Sequence, residues 1–259
     1  IEMVLGVAIL VGWKPKLTVW SLLVTIVFFT FLTWYSANYN KVTDCGCFGD
    51  AIKLTPWQSF YKDVLLTILI LFLVARIKDV KPVLEGKIPG MLTYFSLFVS
   101  LYITYHVLVH LPIVDFRPYA IGNNIPAGME YKGDGKIPPI HDFTLENSQN
   151  DLAEQILKEP KVLLIIIHNF DKTAMDGLTV VKELAKKAIK KGYKVYGVSA
   201  SYYDDLLLVK EKHNLPFDFL FCDATTLKTM IRANPGIMIL KKGTITDKKN
   251  YTDADKITL

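Results

Sequence analysis

The chain is poor in cysteine and, over long stretches, empty of charge. It has three cysteines in 259 residues, too few for a small domain stapled by disulfides. Nowhere does it contain Cys-x-x-Cys, so the ordinary dithiol motif of soluble oxidoreductases is absent. Residues 17–40 carry no charge, with Lys16 and Lys41 at their borders. Residues 88–114 are likewise uncharged between Lys87 and Asp115. A soluble helix needs a polar face, and these runs offer none. At ~1.5 Å per residue each run is long enough to cross a hydrocarbon layer of ~30 Å. An initiator Met is also absent. The sequence starts at Ile1 inside an apolar run and stops at Leu259, shortly after the helix-start pattern Thr252-Asp253-Ala254-Asp255. Both ends read as truncated, so a preceding helix or signal is expected.

What is present divides in two. The composition is 51% hydrophobic, with a mean hydropathy of +0.28, and nearly all long apolar runs precede Asp115. Most lysines follow it. The net charge of +5 is therefore that of a basic soluble half joined to a membrane half, not a nucleic-acid footprint. Spans are expected at about 1–13, 17–40, 57–75 and 90–113, the third weakened by Lys62 and Asp63. The expected organisation is a transmembrane domain at 1–114, a Gly- and Pro-rich connector at 115–136 and a soluble domain at 137–259. Lys14, Lys16, Arg76, Lys78, Lys81 and Lys87 make two short loops basic, which places those loops in the cytoplasm. The 41–56 loop and everything after Asp115 then face outward.

The outward loop reads Asp44-Cys45-Gly46-Cys47-Phe48-Gly49-Asp50. Cysteines two apart can close a small, strained ring, with no side chain on Gly46 to hinder it. Strain raises the reduction potential, which suits exchange better than scaffolding. The alternatives are incidental thiols, or half of a zinc site in a loop without histidine. No metal is expected. Glu2 lies roughly 16 Å from the cytoplasmic interface, where a carboxylate serves as a proton relay or quinone contact or else sits at an interface. His106 and His110, four apart on the last span, share a face. They either lower a thiol pKa or meet a quinone oxygen, or are plain interfacial residues.

The loop, Leu54-Thr55-Pro56-Trp57 after it, and the fragments Glu2-Met3-Val4-Leu5-Gly6 and Leu10-Val11-Gly12 resemble DoxX/MauE-like membrane proteins, in the form common in Bacteroidetes. The resemblance covers roughly residues 1–110. It implies a four-helix unit whose first helix would precede Ile1, a bacterial inner-membrane location, and disulfide chemistry in the periplasm.

After the connector the pattern becomes α/β. Strands are expected at 162–167, 194–199 and 217–221, with helices at 176–190, 204–213 and 225–232. A closing hairpin is expected at 236–240 and 244–247. This order resembles the thioredoxin fold of TlpA- and peroxiredoxin-type proteins, with Pro139 to Asn147 as opening segment and Asn234-Pro235-Gly236 as the proline turn, so Pro235 is expected cis. Where that fold carries its cysteines, this chain reads His168-Asn169-Phe170-Asp171. His168 is either a polar remnant or merely solvated. Cys222 is either a partner thiol for the membrane loop or a buried, inert cysteine.

Two functions are expected from these features. In the first, Cys45 and Cys47 exchange disulfides with extracytoplasmic proteins, with a membrane quinone as far partner by analogy to DsbB- or vitamin K epoxide reductase-like proteins. In the second, the chain is a non-enzymatic, membrane-anchored binding or assembly module.

Overall fold

The computed structural model describes residues 1–39, 54–84, 86–133, 135, 137–170, 173, 175–201 and 203–259. They form two compact units, Ile1–Tyr105 and His106–Leu259.

In the N-terminal unit, α1 (Glu2–Val11) ends at Gly12, whose φ of 71° closes the helix in the left-handed region. A Cβ there would come within 2.7 Å of the Lys81 carbonyl and Pro82 Cα, so glycine is required twice over. Pro15 then starts α2 (Pro15–Asn38). A capping box starts α3 (Pro56–Ala75): the Gln58 N–H donates to Thr55 Oγ1, and Gln58 Oε1 accepts from the Thr55 N–H. The fourth helix is α4 (Ile88–Val109). The last three are long and apolar enough to cross a membrane. Phe28, Phe31, Leu65, Phe72 and Phe98 are each more than half exposed, an outward apolar surface of the kind a bilayer covers. Hydroxyls within the spans turn back onto their own helices. Thr25, Thr30 and Thr67 donate to carbonyls one turn earlier, which satisfies them without water. The chain is a membrane protein.

In the C-terminal unit, short helices α5 (Ile125–Met129) and α6 (Ala153–Lys158) precede β1 (Val162–Ile167). Then come α7 (Met175–Lys190), β2 (Lys194–Ser199), α8 (Tyr203–His213), β3 (Asp218–Phe221), α9 (Ala224–Met230), β4 (Gly236–Lys241), β5 (Thr244–Asn250) and a 3₁₀ segment, Tyr251–Lys256. The sheet order is β3-β2-β1-β4-β5. The first three strands are parallel, and β4 and β5 are antiparallel additions. Every residue of β1 is buried, because side chains alternate between two cores. Leu164 and Ile166 face one core with Val198, Leu220 and Met238. Leu163, Ile165 and Ile167 face the other with Leu178, Val181 and Ile237. The Asn234–Pro235 bond before β4 is cis. Strand order, pairing and this proline make the unit thioredoxin-like, as expected.

Element ends differ from the sequence reading by a few residues, the last span ending at Val109 and α9 at Met230, and two differences lie at the C-terminal end. The last strand runs on to Asn250, because the register carries Gly236 opposite Asn250. The helix-start pattern at 252–255 lies inside the 3₁₀ segment, whose first turn Asn250 caps through Thr252.

Candidate functional site

Cys45 and Cys47 lie outside the described residues, so the site is built from what flanks them in sequence. The helices on either side are α2 and α3, and their facing surfaces are polar at one level. The Thr33 hydroxyl donates to Asp63 Oδ2 at 3.0 Å, and Lys62 Nζ meets Asp63 Oδ1 at 2.9 Å. Asp63 is only 2% exposed. One turn earlier on the same face, Ser59 is fully buried, and among the described residues its hydroxyl has no hydrogen-bond partner. Deeper along the pair, Thr30 and Thr67 hydroxyls meet at 3.1 Å. Beside them opens a cavity of about 420 Å³ lined by Glu2 from α1, Thr25 and Phe29 from α2, and Lys62, Asp63 and Ile70 from α3. Glu2, singled out in sequence, is thus brought together with two groups that sequence reasoning passed over. Their signal was present as the Lys62-Asp63 pair interrupting an apolar run. A charge pair inside a span, with no water to solvate it, faces a bundle interior or a cavity.

In the C-terminal unit the remaining candidates are separate. The His106 and His110 rings lie 4.8 Å apart, confirming a shared face. His110 Nδ1 is 2.5 Å from Asp253 Oδ2, and Lys256 reaches the other oxygen at 2.6 Å. Burial opposes ionisation of Asp253, but bonds from Lys256 and His110 outweigh it and hold the carboxyl below its ordinary range. With Lys249, these groups line a cavity of about 550 Å³. Asp253 is a partner that sequence gave no sign of, 143 residues from His110.

The place of the missing dithiol is occupied by a structural histidine. His168 Nε2 lies 3.2 Å from the Leu227 carbonyl, and its backbone N–H donates to Asn234 Oδ1 at 3.1 Å. Burial pushes its pKa down, which keeps the ring neutral at pH 7. Cys222 is fully buried, and burial pushes its thiol up to about 12. Pro235 takes its cis turn beside Gly177, where a Cβ would meet the proline ring at 2.7 Å. Among the described residues, no three His, Cys, Asp or Glu side chains gather as a metal set.

The class this defines is a membrane protein with a helical transmembrane unit and a thioredoxin-like unit that has no dithiol at the usual place. Its N-terminal part, residues 1–76, matches the family described as methylamine utilisation protein MauE. The segment holding Cys45 and Cys47 falls within that match. No curated protein matches the chain. Among solved structures, the C-terminal part is similar to a thiol:disulfide interchange protein from Bacteroides sp., at 14% identity over 44% of this chain and 82% of that one, TM-score 0.36. It is also similar to the thioredoxin domain of a thiol-disulfide oxidoreductase from Bacteroides vulgatus, at 16% identity over 50% and 87%, TM-score 0.36. A third is StoA from Bacillus subtilis, at 15% identity over 42% and 86%, TM-score 0.32.

Proposed function

We propose that the protein exchanges disulfides outside the cytoplasm through Cys45 and Cys47, in a bacterial inner membrane, with the C-terminal unit on the periplasmic side. The observation that carries this reading is the position of Cys45-Gly46-Cys47 inside the segment that matches the MauE family. The third cysteine, Cys222, is buried and protonated at neutral pH, which leaves the loop pair as the reactive thiols. In the oxidising direction, a substrate dithiol reduces the loop disulfide by way of a mixed disulfide, and the substrate leaves oxidised. The loop dithiol then passes two electrons and two protons to a membrane quinone, giving quinol and restoring the disulfide. The likeness to named thiol-disulfide oxidoreductases agrees in subject but adds no residue.

A second reading, an anchored binding or assembly module, draws on the C-terminal unit, where a neutral His168 stands in the dithiol position. Acid quenching of growing cells followed by alkylation of free thiols separates the two. Exchange requires Cys45 and Cys47 to be found partly oxidised and to shift when reductant is added. A pair that stays wholly reduced under all conditions leaves only the module.

A further inference from the structure

The last turn of α4, from His106 on, belongs to the C-terminal unit, and it is fastened there. The Val109 carbonyl accepts from Asn250 Nδ2 at 2.8 Å and from Thr252 Oγ1 at 2.6 Å, and His110 meets Asp253. A helix of 22 residues rises ~33 Å, about the thickness of the hydrocarbon layer. Its last turn therefore stands at the level of the lipid headgroups. The cavity of about 550 Å³ that His106 and His110 line is held at that level by these bonds. Its rim is apolar. Ile113, Val114 and Ile121 line it and are each more than half exposed. Leu108 and Phe116, near them in sequence, are as exposed. Beside the end of a span, such a rim meets lipid rather than water.

The charges inside narrow the occupant. Two carboxylates line the cavity, and each already has two partners: Asp115 has Arg117 and Lys248, and Asp253 has His110 and Lys256. Lys249, also in the lining, is held loosely, 3.6 Å from Asp247. With both histidines neutral, the cations of this group, Arg117, Lys248, Lys249 and Lys256, exceed its anions, Asp115, Asp247 and Asp253, by one charge. That excess suits a monoanion, and the apolar rim suits one that carries hydrocarbon. A phospholipid with a single phosphodiester charge is both. The geometry points to a binding site for an anionic phospholipid of the leaflet that the C-terminal unit faces. Its phosphodiester faces Lys249 and Lys256, and its acyl chains leave past Ile113 and Val114. Lysines at the membrane surface attract such headgroups. A lipid held there ties the thioredoxin-like unit to the membrane surface beside the end of its own span. Neither Cys45 nor Cys47 enters this site, so it stands apart from the exchange reading.

The test uses the full chain, delipidated in detergent and titrated with palmitoyl-oleoyl phosphatidylglycerol, with bound lipid counted by native mass spectrometry. One lipid should bind more tightly than the rest, and Lys249→Met/Lys256→Met should weaken that first binding roughly tenfold. Ile113→Asp keeps both lysines and changes an exposed residue. It should weaken the binding as well, and it covers the case in which the lysine variant fails to fold. Lys187→Met/Lys190→Met removes two exposed lysines of α7 and should bind as the parent does. Equal weakening by the α7 pair, no weakening by the cavity variants, or equal binding of phosphatidylcholine would overturn the site. The same headgroup without chains, glycerophosphoglycerol, should not displace the lipid. Displacement at equal concentration would mean a site for free phosphodiesters and would overturn the lipid as its occupant.

Discussion

Cys222 shows how far environment decides a residue's role. It follows β3, its backbone N–H donates to the Ser199 carbonyl at 2.9 Å, and burial keeps the thiol protonated at neutral pH. In a Cys45→Ser/Cys47→Ser background it is the sole thiol, and its alkylation then reports opening of the thioredoxin-like unit. Lys248 is the residue whose loss should open that unit most readily. It is 3% exposed, and its ammonium donates to Asp115 Oδ2 at 2.5 Å, the Tyr119 carbonyl at 2.6 Å and the Met230 carbonyl at 3.1 Å. Lys248→Met leaves the partly buried Asp115 with Arg117 alone and takes a donor from the Tyr119 and Met230 carbonyls, and should cost about 1–3 kcal/mol. The urea midpoint of Cys222 alkylation should fall accordingly. Acid should act on the same groups. Burial opposes ionisation of Asp115, yet hydrogen bonds from Arg117 and Lys248 prevail and hold its pKa low, and Asp253 behaves alike. A carboxylate depressed in the folded state stabilises above its unfolded pKa of about 3.9 and loses that contribution as pH falls through the folded value. The midpoint should begin to fall below about pH 6.5, where the unfolded chain gains a proton that the buried His168 ring resists, and drop further below about pH 4, as read with a dithiodipyridine probe that reacts in acid. Sequence revealed neither network. Asp247-Lys248-Lys249 reads as a solvated run, because simple alternation from the buried Ile245 would turn Lys248 away from that core, and only the register shift between Ile239 and Leu240 turns it inward.

At the scale of elements, legibility followed the strength of the hydrophobic signal. Val162–Ile167 and Lys194–Ser199 stand where their apolar patterns place them, and α7 begins one residue earlier than its pattern predicts. The end of β5 was not legible, since its last residues are polar and held by pairing with β4. Gly197 in β2 is a close contact: a Cβ there would stand 2.4 Å from the Phe219 ring and 2.9 Å from that of Phe217. Gly197→Ala should therefore destabilise by about 1–3 kcal/mol, although alanine is otherwise the better strand former. Cys222 alkylation in urea checks this too, and an unchanged midpoint would show that the rings move aside at no cost. Among the spans, the Lys62-Asp63 blemish in α3 was visible in sequence. Its meaning was not, because Thr33 and Glu2 come from other helices.

For the whole molecule, the division into an uncharged half and a lysine-rich half was plain from composition, and the basic loops set a direction for it. Membrane-impermeant amine reagents applied to intact spheroplasts should modify the C-terminal unit and spare Lys78 and Lys81. The reverse pattern would invert the topology and remove the oxidising side on which the account depends. The central claim concerns Cys45 and Cys47 themselves, and the most direct measurement is capture of the exchange intermediate. Cells carrying the full chain with Cys45→Ser or Cys47→Ser should be acid-quenched and run on non-reducing gels. The account predicts that the variant lacking the resolving cysteine accumulates a covalent adduct that reductant releases, and that the double variant loses the adduct while remaining at normal level in the membrane. Absence of any adduct from both single variants, with the double variant indifferent to reducing stress, would contradict it.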